Sequence, residues 1–219
     1  MVAEIQEAEL RRMRDTQARY EAAEREARAL ELARRGAARI AQGDLEGALA
    51  ELEQSLALDP RCAEAHFQRG VALQLGGELP GALAAYELAL ASDPDQAGAL
   101  LNRGDLRARM GDVAGGLEDC DHAVTLHPTW SVAWVARARV RMWGGDHRGA
   151  QPDFDRGLAL DDTNPRVFLD RGCSRYHLGD LAGARADFQR VIVQAPELAA
   201  LARGYLAHAW LPPGTRRAP

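Results

Sequence analysis

Residues 63–96 read AEAHFQRGVALQLGGELPGALAAYELALASDPDQ, and this stretch decides the fold because it recurs. Its Arg69-Gly70 pair returns at 34-residue steps as Arg35-Gly36, Arg103-Gly104, Arg137-Ala138 and Arg171-Gly172. Gly77-Glu78 returns as Gly43-Asp44, Gly111-Asp112, Gly145-Asp146 and Gly179-Asp180. Ala82 has Ala48, Gly116, Ala150 and Ala184 as its counterparts, and Pro94 has Pro60, Pro128, Asp162 and Pro196. Four ladders in one register exceed chance, and a fixed period of this size sets the architecture before any local reading.

Each unit reads as two helices. The first begins just after the proline ladder and carries apolar residues at helical spacing, as in Leu100, Leu101 and Ala108. It stops at the glycine ladder, where glycine takes the left-handed conformation without a Cβ penalty. The acid that follows suits the positive end of the second helix. That helix runs from about Leu79 to Ala91 in the quoted copy and stops at Asp93-Pro94, because proline cannot continue it. Small residues at the Gly36 and Ala48 ladders let the paired helices approach closely. Gly115-Gly116 marks the third copy as the weak one, since glycine inside a helix costs roughly 1 kcal/mol relative to alanine. The fourth copy lacks its proline, and Asn164-Pro165 supplies a helix start instead.

His66-Phe67-Gln68-Arg69-Gly70, Gly77-Glu78, Gly81-Ala82, Tyr86, Ala89 and Asp93-Pro94 together resemble the tetratricopeptide repeat family. Trp134 and Phe168 stand at that family's large-residue position in the first helix. Phe154 and Phe188 stand at its aromatic position in the second, where Leu52 and Cys120 depart from it. The resemblance implies an all-α, right-handed α-solenoid of helix-turn-helix repeats. Five repeats are expected at 29–62, 63–96, 97–130, 131–164 and 165–198. Residues 1–28 read as a charged helix leading into the array, 199–211 as a capping helix and 212–219 as a flexible tail.

Composition narrows the function. All 27 basic residues of the 219 are arginine, so a Walker-type phosphate loop, a pyridoxal Schiff base and a lysine base are excluded. A formal net charge of −5 argues against a nucleic-acid-binding domain. No run offers the ~18 consecutive apolar residues of a membrane span. The first residues lack a basic start followed by an apolar stretch, and Cys62, Cys120 and Cys173 are odd in number and far apart. Both features lead us to expect a cytoplasmic protein without a disulfide framework.

Chemistry-bearing motifs are sparse. Cys62/His66 and Cys173/His177 are each one helical turn apart, but neither has the further ligands that a zinc site needs, so no metal or cofactor is expected. Asp119-Cys120-Asp121-His122 reads as a core cysteine whose neighbours face outward. The arginine ladder admits two readings. It could form a basic stripe for an acidic partner. Alternatively, the acids Glu51, Asp119, Asp153 and Asp187, interrupted by Ala85, would hold it and tie the paired helices or adjacent repeats together. The second is favoured, because a buried arginine must be paired.

In the family that the sequence resembles, first helices line a concave surface that binds a partner's peptide or helix. Carrying the register over residue by residue places Phe67, Leu101, Val135 and Leu169 in one inward row. Asn102 falls in a second row, Val71 and Arg139 in a third, and Trp143, Tyr176 and His177 at the far side. The implied occupant is a protein segment with apolar anchors. A carboxylate clamp for an acidic C-terminal tail is absent. Asn102 fits it, but Phe67, Val71, Val132 and Ala136 stand where its other polar residues belong. The expectation is therefore a non-catalytic protein-interaction scaffold or adaptor that works through its groove. The alternative is an assembly subunit that docks through its terminal helices, with a homodimer through the C-terminal helix and Trp210.

Overall fold

The computed structural model describes residues 2–209, with side chains described for residue 7 and residues 9–207. Among the described residues there are eleven helices and no strand: α1 (Val2–Ala41), α2 (Leu45–Leu58), α3 (Ala63–Leu75), α4 (Leu79–Ser92), α5 (Ala97–Arg109), α6 (Val113–Leu126), α7 (Ser131–Trp143), α8 (His147–Leu160), α9 (Pro165–His177), α10 (Leu181–Gln194) and α11 (Ala199–Ala209). The chain divides into two compact units, Met1–Ala99 and Leu100–Pro219. In the first unit α1 pairs with α2, and α3 with α4. In the second α7 pairs with α8, and α9 with α10, while α11 lies against both α9 and α10.

The ladders act as punctuation. Gly43, Gly77, Gly111, Gly145 and Gly179 all have positive φ, from 78° to 101°, which reverses the chain between paired helices. The acid after the glycine does more than complement a dipole. Asp44, Asp112, Asp146 and Asp180 cap their helices by accepting from the backbone N–H three residues on, at Gly47, Gly115, Gly149 and Gly183. A Cβ on any of these four glycines would overlap the capping carboxylate.

That contact corrects the expectation of a weak third repeat. α6 has the same 14 residues as α2, α4, α8 and α10. Gly115 is needed under the cap. At Gly116 a Cβ would come within 2.6 Å of the Gly104 carbonyl oxygen, so α5 and α6 meet there backbone to backbone. Asn164 caps α9 by accepting from the Arg166 N–H, with Pro165 at the first helical position, as expected.

Alanines and single aromatics fill the cores. In the second unit Phe168, Leu169, Phe188, Val191 and Ala202 form one cluster, and Ala138, Ala150, Phe154 and Val167 another. Tyr205 of α11 stacks on Phe188, with centroids 5.2 Å apart and planes within 13°. Thus Tyr205 and Leu206 serve the core of the fifth repeat, while Leu201 stays exposed. The expected dimer contact at Trp210 lies outside the described residues.

Candidate functional site: the first-helix face of the second unit

The seam between paired helices uses most of the arginine ladder. Arg103, Arg137 and Arg171 each donate through Nε and Nη2 to both carboxylate oxygens of Asp119, Asp153 and Asp187, at 2.6–3.0 Å. A second ladder one turn further on, Arg107, Arg141 and Arg175, donates to the same three acids. Each buried aspartate is therefore held by two guanidinium groups. Arg137 and Arg171 also reach back to Asp121 and Asp155 on the preceding second helix, at 2.7 and 2.8 Å, which ties adjacent repeats. Two carboxylates and a bidentate geometry hold the Arg137 guanidinium far above its already high ordinary pKa. In the first unit Glu51 binds Arg35 at 2.5 Å and Arg39 at 3.4 Å. The ladder is structural, as its matching acids implied.

One detail is corrected. Asp119 is buried in its arginine pair and does not face outward with Asp121 and His122. Cys120 beside it is fully buried, and burial pushes its thiol up to about 12.

The other side of the first helices is built differently. Asp105 on α5, Arg139 on α7 and Asp170 on α9 lie side by side. Arg139 stands 3.5 Å from Asp105 and 3.7 Å from Asp170, and Arg109 stands 3.8 Å from Asp105. The Trp143 indole N–H donates to Asp105 at 3.4 Å, while Trp143 itself stays 55% exposed. These separations are those of loose ion pairs, longer than the bonds of the seam. Burial raises the Asp170 carboxyl above its ordinary pKa, although Arg139 and Arg166 pull the other way. Exposed Met110 and Leu178 occupy the turns at the ends of α5 and α9.

The ten residues singled out from the sequence divide by environment. Arg139 and Trp143 belong to this network. His177 is exposed and stacks on His147, with centroids 4.5 Å apart and planes within 7°, and Tyr176 meets it edge-on. Asn102 and Val71 are half-buried. Leu101 and Leu169 are core residues, 5% and 3% exposed, and offer a partner almost no surface. Val135 is half-buried against Gly157 of α8, where a Cβ would come within 2.6 Å of its Cγ2. Phe67 is half-buried in the first unit, 2.8 Å from where a Gly98 Cβ would sit. The row expected to be an open apolar wall is mainly packing surface. A small residue opposite the large one, as Gly98 is to Phe67 and Gly157 to Val135, was the available signal. The Asp105–Arg139–Asp170 network gave a weaker signal: Asp105 and Arg139 share one register position 34 residues apart, but Asp170 lies in the adjacent row with Asn102, and residue type is not kept from copy to copy in either row.

The tetratricopeptide repeat model matches residues 34–97, 76–129 and 135–199. The chain belongs to the tetratricopeptide repeat family. No curated protein matches its sequence. Among solved structures, PilW, described as a widely conserved type IV pilus biogenesis factor, is similar at a TM-score of 0.72 and 22% identity over 83% of this chain and 88% of its own. PilF of Pseudomonas aeruginosa is similar at 0.68 and 24%, over 84% and 90%. The tetratricopeptide repeat protein TTC0263 of Thermus thermophilus is similar at 0.68 and 21%, over 83% and 98%. These likenesses carry the fold: an all-α solenoid of helical repeats. Tetratricopeptide repeats are protein–protein interaction scaffolds, and among the described residues no helix is long and apolar enough to cross a membrane.

Proposed function

We propose that this chain is a non-catalytic scaffold that holds a segment of a partner protein on the first-helix face of its second unit. The observation that carries this reading is the Asp105–Arg139–Asp170 network beside an exposed Trp143. Its charged groups keep unspent donor and acceptor capacity at separations of 3.5–3.7 Å, and the indole supplies a rigid apolar anchor of the kind that dominates interface energies. A partner peptide or helix would set an apolar side chain against Trp143 and take its orientation from Arg139. Tyr176 and His177 would extend the contact. The free cysteines suit a reducing compartment such as the cytoplasm.

The test compares immobilised wild type with an Arg139→Ala, Trp143→Ala double variant in lysate of the source organism. Both substitutions lie on the exposed face, so far-UV circular dichroism and the melting temperature should match wild type. Proteins retained by wild type and lost from the variant support the reading. The same set retained by both overturns it.

A further inference from the structure

The first-helix face of the second unit differs in charge from the chain as a whole, whose formal net charge is −5. Once the arginines of the seam are set aside, α5, α7 and α9 carry six charge-bearing side chains: Asp105, Arg109, Arg139, Arg166, Asp170 and His177. They divide by accessibility. The Asp105 and Asp170 side chains are 15% and 21% exposed, whereas those of Arg109 and Arg139 are 42% and 41% exposed. Arg166 and His177 are exposed as well. The groups most open to a partner are thus three guanidiniums and an imidazole, and both acids are largely covered. α11, which packs beside α9, carries exposed Arg203 and no acid.

The covered acids leave the arginines unspent. Three guanidiniums face two carboxylates, which leaves the network one positive charge. Arg139 stands 3.5 and 3.7 Å from its two aspartates and Arg109 stands 3.8 Å from one, all beyond the usual length of a hydrogen bond. Arg166 lies one helical turn before Asp170, on the same side of α9, and acts with Arg139 to draw the Asp170 pKa down against burial.

Apolar anchors flank these charges. Val132 is 52% exposed near the start of α7, and Trp143 is 55% exposed at its end. Both fall on the stripe that holds Arg139, about 16 Å apart. The Trp143 indole N–H donates to Asp105, which holds the ring in place for a partner.

We propose that the occupant of this face is an acidic protein segment, whose apolar side chains rest on Val132 and Trp143 and whose side-chain carboxylates, between them, bind Arg139 and Arg166. This rests on the reading of the face as the partner-binding surface, and adds the chemistry that selects the partner. A basic segment meets the exposed guanidiniums before it can reach the covered acids. A purely apolar one desolvates three arginines without supplying a counter-charge.

A phage-displayed library of random linear peptides, presented to the immobilised full chain, tests the proposal. The Arg139→Ala, Trp143→Ala variant, screened in parallel, removes peptides that bind elsewhere. Peptides kept by wild type alone should be enriched in Asp and Glu over the unselected library, and depleted in Arg and Lys. The most enriched peptide, made synthetically, should bind about tenfold more weakly to Arg139→Gln and about threefold more weakly to Arg166→Glu, and more weakly to wild type as salt is raised. Lysine in place of one of its acids should recover binding to Arg166→Glu. Circular dichroism establishes that each variant is folded, and Arg109→Gln replaces any that is not. Wild-type-specific peptides of neutral or basic composition overturn the acidic assignment while the face stands as a partner surface. Finding no wild-type-specific peptide overturns both.

Discussion

Three arginines two residues apart on α7 have opposite assignments. Arg137 and Arg141 turn toward α8 and share the buried carboxylate of Asp153, which Arg137 grips through two bonds of 2.7 and 3.0 Å. Arg139, between them in sequence, turns to the other side and stands 3.5 and 3.7 Å from two aspartates of neighbouring first helices. Residue type and helix are constant across the comparison, and what differs is the surroundings. Against α8 the guanidinium groups fill their bonding capacity with one desolvated acid and hold the helix pair closed. On the open side the charges are close enough to attract one another, yet their hydrogen-bonding capacity is not spent. The seam holds the helix pair together, and the face is the surface proposed for a partner.

The largest expected effect comes from breaking the seam. Asp153→Ala leaves two guanidinium groups without their shared acid, and should lower unfolding free energy in urea by about 3–5 kcal/mol. Asp121→Ala sharpens the contrast within the seam. That acid is 58% exposed, so its loss should cost less than about 1 kcal/mol although its bond to Arg137 is 2.7 Å.

On the face, Asp170→Asn should leave stability at neutral pH unchanged or slightly raised. Burial holds the Asp170 carboxyl above its ordinary range, so its folded form favours the proton. The stability it contributes is full below the unfolded carboxyl pKa of about 3.9, and is lost as pH rises through the folded value. Melting temperatures of wild type and Asp170→Asn should therefore diverge in favour of the variant as pH rises above about 4. A variant that melts far below wild type at neutral pH would make the face network structural, like the seam.

The smallest effect is at His147. Burial, then the stacked His177, lower its pKa, with Asp146 opposing. An unfolded histidine takes up its proton near pH 6.5, before the folded one does, so stability should fall as pH drops below about that value. His147→Gln should flatten that slope in a thermal-melt series.

Much of the fold was legible because its determinants repeat. Arg103 and Asp119 are each one rung of a ladder, and a ladder that pairs cation with anion at a constant offset announces a contact. The second arginine ladder, with Arg107, Arg141 and Arg175, was legible on the same grounds and emerged only from the structure. The site was less legible because it is where the repeat stops repeating. Asp105 and Arg139 share a register position, where an acid in one copy becomes a base in the next, and Asp170 lies in the adjacent row with Asn102, so no ladder of constant residue type marks their meeting. Leu101 and Leu169 misled for the converse reason. A conspicuous apolar row in a repeat array reads as a wall, yet most of such a row is consumed by packing. In the fifth repeat α11 contributes to that packing, through Ala202 in the same cluster as Leu169. The Gly115-Gly116 pair misled because a helix propensity takes no account of a cap or of a backbone approach.

The most direct test of this division of labour is site-specific photocrosslinking in living cells of the source organism. One photoreactive residue replaces Trp143 on the first-helix face, and another replaces Arg156, exposed on α8. The account predicts a discrete protein adduct from position 143 that is lost when Arg139→Ala is added, and no discrete adduct from position 156. Adducts from position 156 alone would contradict it and move the working surface to the second helices.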